Sequence, residues 1–186
     1  MSFPFLDLPP ELRTKILLLL LHYATPIPLE DLPQTYPHAL LLSCAQIHTE
    51  VLPLYYSSNT FSLILHRHNE RSLLFPFLSS PSRHLIRSLK VTVERWGAND
   101  YFVKTFAPAI EELILKGGLR RVEIVLREGY VLGLMRRKNE SDDGNWGVLK
   151  RLLKDPYLEW ARLSSIGVGK IFNEGPKDIS WIMDHF

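Results

Sequence analysis

The sequence predicts an α/β protein, with α+β as the alternative. A helical module at the N-terminus packs on a short, mainly parallel sheet built from strand–helix units. Two observations predict this class. Apolar residues recur at positions 1, 4 and 6 of three short runs: Ile86, Leu89 and Val91; Leu119, Val122 and Ile124; Leu163, Ile166 and Val168. Helix candidates fill the intervals, at Asp100 to Leu115 and Trp146 to Lys154. Strands alternating with helices favour parallel pairing through right-handed crossovers.

The first element is a helix opening in Asp7-Leu8-Pro9-Pro10-Glu11-Leu12-Arg13. Proline suits the first helical position, where its missing N–H costs nothing, and acidic residues there favour the helix dipole. Leu12, Ile16, Leu19 and Leu20 fall on one face, and the helix is expected to end near Tyr23 because Pro26 and Pro28 follow. The run Ile16 to Leu21 is far too short to span a bilayer. Asp7, Glu11 and Pro9-Pro10 before it argue against a signal-peptide core, so it reads as a buried amphipathic helix. Residues 25 to 38 hold four prolines and read as an irregular loop.

A second helix is expected from about His38 to Leu52, with Pro53 ending it or opening a short extra turn. Ser57-Ser58-Asn59 is a turn signal, and Thr60 to His66 alternates Phe61, Leu63 and Leu65 as a strand does. The later runs share the L-x-x-L-x-L strand core of leucine-rich repeats. They are spaced by 33 and 44 residues, and Glu94 and Arg127 stand where such repeats place Asn or Cys. A repeat arc and an ordinary α/β layer with buried strands both fit, and both require the same strands. Residues 1–58 form the helical module and 59–186 the α/β part, read as one continuous fold.

Composition narrows the function classes. The chain has 186 residues, 46% hydrophobic and 23% charged, with a net charge of +2. So small a charge does not imply a nucleic-acid or anionic-membrane partner. A single cysteine cannot form an internal disulfide, which agrees with a reducing compartment, cytoplasmic or nuclear. Basic residues Arg67, Arg71, Arg83, Arg87 and Lys90 gather around the first strands, but balancing acids dilute them.

Chemistry is sought first at Cys44 and His48, which could share a helix face. The apolar stripe around Cys44 instead marks core packing, since free cysteine behaves as a small buried hydrophobe. His66, His68 and His84 could approach one another, yet no carboxylate or thiol has ligand spacing. Glu111 and Glu112 are adjacent on a helix and point apart, and Gly117-Gly118 reads as a helix stop rather than a phosphate loop. No catalytic residue, metal or cofactor is expected. Arg13 and Glu50 each lie near an apolar face, where a lone charge is costly, and are expected to form a cross-helix ion pair.

Two blocks carry a resemblance. The first is Phe5-Leu6-Asp7-Leu8-Pro9-Pro10-Glu11-Leu12-Arg13-Thr14-Lys15-Ile16. The second holds Leu42-Ser43-Cys44, Gln46-Ile47, Glu50, Leu52-Pro53, Tyr56 and Asn59-Thr60-Phe61. In this order, over residues 3 to 65, they resemble the F-box-like proteins of filamentous fungi. Two features depart from the family pattern: a proline-rich loop, Pro26 to Pro37, stands where a short helix is typical, and Ala45 follows the cysteine in place of a basic residue.

The resemblance implies a non-enzymatic interaction protein. Its helices dock on the Skp-type adaptor of a cullin–RING ubiquitin ligase, and its downstream region captures an unknown target. By matching position, adaptor docking falls to Leu8, Pro9, Leu12, Ile16, Leu17, Leu41 and Ile47. Trp96 and Tyr101, with the 136–145 loop, are the expected target-facing residues. The alternatives are a free-standing scaffold without adaptor, and a small enzyme or metal-binding protein.

Overall fold

A computed structural model describes residues 4–29, 35–66, 81–96, 100–127, 129, 131, 144–167, 177–178 and 180. Its elements confirm the α/β class. Helix α1 (Pro10–Leu21) follows a 3-10 turn (Phe5–Asp7) and leads to strand β1 (Ile27–Pro28). Helices α2 (His38–Leu41) and α3 (Ala45–Ser58) precede β2 (Thr60–Leu65) and β3 (Ser88–Val93). A π-turn (Phe102–Phe106) runs into α4 (Ala107–Leu115), followed by β4 (Arg121–Arg127), α5 (Asn145–Leu153), β5 (Trp160–Ile166) and β6 (Lys177–Asp178).

The strands lie in one sheet in chain order, β1 to β6. Neighbours are parallel from β1 to β5, and β6 is antiparallel to β5. With sequential order and crossovers of one hand, every connection returns on the same side of the sheet. Burial agrees. Phe61, Leu63, Leu65, Leu89, Val91, Val93, Val122, Ile124, Leu126 and Leu163 share the inner face and belong to the core. The outer face carries Thr60, Ser88, Lys90, Arg121, Glu123 and Trp160.

Three details differ from the sequence expectation. Ile27–Pro28 is a strand, not loop: it pairs with Phe61 and Ser62, and Ile27 is buried. β1 is an edge strand, where a proline is tolerated because one side of the strand needs no donor. The single helix expected over His38 to Leu52 is broken at Leu42 to Cys44. There the Ser43 hydroxyl donates to the Leu40 carbonyl, and Cys44 turns extended. Helix α3 then passes through Pro53 to Ser58. The lost hydrogen bond is tolerated because Pro53 and Thr49, whose carbonyl loses its partner, both lie on the solvent side.

The third apolar run is also shifted. Register aligns Leu89 with Val122 and Ala161, and Val91 with Ile124 and Leu163. The run matching Ile86-Leu89-Val91 is therefore Leu158-Ala161-Leu163, five residues earlier than the expected one. Ile166 points to the other face and is exposed. Gly117 ends α4 as expected, and the reason is close approach: a Cβ there would fall 2.5 Å from the Leu113 carbonyl oxygen.

Buried Asn59 fastens three elements. Its amide nitrogen donates to the carbonyls of Leu21 and Tyr55, both at 2.8 Å, and its oxygen accepts from the Tyr23 N–H at 2.8 Å. Helix α1, helix α3 and the start of β2 thus end on one side chain. Asn59→Ala leaves these buried groups unpaired and is expected to lower stability by about 1–3 kcal/mol. Urea unfolding checks this, and a variant as stable as wild type would refute the fastening role.

Candidate functional site

The described N-terminal surface is built on one ion pair. Arg13 lies on α1 and is 7% exposed; Glu50 lies on α3. Arg13 Nη2 donates to Glu50 Oε1 at 2.7 Å and Nε to Oε2 at 3.1 Å, a bidentate pair. Arg13 Nη1 also donates to the carbonyls of Leu6 and Leu8, which ties the entry turn to the helix. The expected cross-helix pair is therefore present. Hydrogen bonding to Arg13 holds the Glu50 carboxyl below its ordinary 4.5, and the same bond raises the Arg13 guanidinium.

The pair determines which side of α1 faces inward. Arg13, Leu17 and Leu21, spaced by four, are buried together. Leu12, Ile16, Leu19 and Leu20 therefore point outward, at 46%, 39%, 84% and 63% exposure. The buried amphipathic helix read from the leucine run is corrected here: apolar residues lie all round the helix, and the stripe containing Arg13 is the one that packs.

The predicted docking residues separate accordingly. Pro9, Leu12 and Ile16 are exposed, and Leu8 is half-buried. Leu17, Leu41 and Ile47 are core residues, with Leu17 and Leu41 on inward-facing helix stripes and Ile47 in the first turn of α3. These three cannot touch a partner while the fold is intact. Trp96 and Tyr101 are only partly exposed. Both pack against the core, and the Trp96 ring meets Phe102 edge-on at 4.8 Å. Of the loop named with them, residues 136–143 lie outside the described residues.

The residues weighed for chemistry find other uses. Cys44 is the N-cap of α3, and its sulfur accepts the Ile47 N–H at 3.5 Å. It is half-buried against the core rather than inside a helix, and it meets exposed His48 through the backbone, where the His48 N–H donates to the Cys44 carbonyl at 3.0 Å. Glu112 pairs with Arg83, and Glu111 with Arg151. Lys90 pairs with Glu123. The basic cluster thus loses Arg83 and Lys90 to ion pairs and keeps exposed Arg87, while Arg67 and Arg71 lie outside the described residues, as does His68 of the histidine set. No group of three metal-ligating side chains occurs among the described residues. Nor is any described helix long and apolar enough to cross a membrane. Tyr55 and Tyr56 stack with Tyr36 and Phe61, and burial pushes the Tyr56 hydroxyl up to about 12. That phenol stays protonated and is packing, not a nucleophile.

Compared with protein-family models, curated proteins and solved structures, the chain has no match.

Because the Glu50 carboxyl is depressed in the folded chain, its ionised form stabilises the fold above the ordinary carboxylate range. That contribution is lost as pH falls from 4.5 through the depressed value. Glu50→Gln is expected to melt below wild type near about pH 7, with the gap closing in acid. Thermal midpoints across a pH series read this directly. A gap that persists unchanged in acid would mean that ionisation of Glu50 contributes nothing.

Proposed function

We propose that this chain is a non-enzymatic protein-interaction module whose helix α1 docks on a Skp-type adaptor of a cullin–RING ubiquitin ligase, making it a substrate receptor. One observation carries the reading. Leu12, Ile16, Leu19 and Leu20 form an uncovered apolar face on a helix held rigidly from behind by Arg13–Glu50. An amphipathic or apolar helix face laid into a partner groove is a recurring mode of protein recognition. Large apolar side chains left in water on one face are a signature of such use. The resemblance of the two N-terminal blocks to F-box-like proteins supplies the class of partner. Pro9 and Leu8 extend the same surface at the helix start.

A free-standing scaffold that binds no adaptor is the second reading. The burial of Leu17, Leu41 and Ile47 favours it, because these matched positions serve the core instead.

Recovery of a purified Skp-type adaptor on the immobilised chain separates the two. Leu12→Asp puts a charge at the centre of the outward face without touching the core. It is expected to cut adaptor affinity by about ten-fold or more, with the circular dichroism spectrum unchanged. Equal recovery by wild type and variant would favour the scaffold reading.

A further inference from the structure

A second surface lies on the sheet and shares no residue with the outward face of α1. At the N-terminal ends of the strands, the outer face holds a groove of about 540 Å³. Its floor follows the register of four adjacent strands: Thr60 beside Ser88, Ser88 beside Arg121, Arg121 beside Trp160. Further along the same face Val125 and Ser164 are fully buried, while Ile64 and Ile166 are exposed.

Its polar groups are unevenly used. The Thr60 hydroxyl donates to Ser88 at 3.1 Å. Glu123 is held by Lys90 at 3.1 Å and by the Ser164 hydroxyl at 3.1 Å. Arg162 faces Asp178 at 3.3 Å. Arg121 and Glu159 line the groove, are exposed, and have no ion-pair partner among the described residues. Trp160, opposite Arg121 in register and next to Glu159 in the chain, lines the groove with them and is 44% exposed. An arginine beside an exposed indole, on a rigid strand pair, combines charge selection with an apolar contact at small entropic cost.

We propose that this groove binds an extended peptide that sets an acidic side chain on Arg121, an apolar or aromatic side chain on Trp160, and a basic side chain toward Glu159. Length supports a peptide: β2 to β5 spans three inter-strand steps of about 4.8 Å, the reach of roughly four extended residues. Charge supports this one. Among the described residues that line the groove, a polyanion such as RNA would meet one cation, Arg121, and the opposing Glu159 carboxylate, which is poor complementarity. The site rests on the interaction-module reading but not on the adaptor, because it shares no residue with the outward face of α1. It also moves target recognition from Trp96 and Tyr101, beyond the C-terminal ends of the strands, to the opposite end of the sheet.

The test is selection of a displayed random dodecapeptide library on the full chain, followed by fluorescence titration of the enriched peptides. The expected peptides carry Asp or Glu next to an apolar or aromatic residue. They are expected to weaken by about ten-fold or more on Arg121→Glu and on Trp160→Ala. Replacing their acidic residue by Lys is expected to restore binding to Arg121→Glu, which a merely structural role of Arg121 would not do. Circular dichroism and adaptor recovery report whether the variants fold and whether the α1 surface is intact, so loss of one site is distinguishable from loss of the other. No enrichment, enriched peptides that bind wild type and Arg121→Glu equally, or failure of the charge swap would each overturn the proposal.

Discussion

The placement of helix α1 depends on how Arg13 is satisfied. A guanidinium that is nearly buried must find several acceptors, since an unpaired buried charge is costly. Arg13 finds both oxygens of Glu50 and two carbonyls of the entry turn. That demand rotates α1 until positions 13, 17 and 21 face α3. Everything outward on the helix follows from this rotation, including the leucines that give the surface its apolar character. At the far end, Asn59 repeats the device with neutral groups, closing α1 on α3 just where the chain enters the sheet. The two helices are thus pinned at both ends by polar contacts, with apolar packing between.

The sheet imposes a second constraint. Parallel strands in chain order bury one face beneath the helices, and the other carries polar and charged side chains at its N-terminal end. On that outer face, register brings Lys90 and Glu123 side by side and they pair. Arg121 is opposite Ser88 and Trp160, neither of which can neutralise it, so its charge remains available. The molecule therefore offers two unlike surfaces. The helix face is apolar, and the groove across the strands sets Arg121 and Glu159 beside an exposed indole.

Much of the fold was legible. Apolar spacing placed α1, β2, β3 and β4, and the strand–helix alternation implied the parallel order. Ion pairing of Arg13 with Glu50 was also readable, because two charges at the edge of apolar stripes have few other partners. The misreadings have common physical causes. Ala161 is too small to mark a strand by hydropathy, so the last run was taken from Leu163 onward instead of from Leu158. The strand at Ile27–Pro28 is too short to show alternation and exists only because β2 lies beside it. Thr49 and Pro53 share the solvent side of α3, which allowed the helix to continue through a proline. The groove had no local signal at all: Arg121, Glu159 and Trp160 come together only through register.

What the sequence by itself determined is the set of elements and the class of the fold, because helical and strand periodicities are local and each element carries its own apolar stripe. It also contained the demand for an Arg13 partner. Tertiary structure alone decided which face of α1 turns inward, since apolar residues surround that helix and periodicity cannot choose among them. It likewise decided which charges are spent in pairs and which stay free, since that depends on strand register, a property of contacts between segments far apart in the chain.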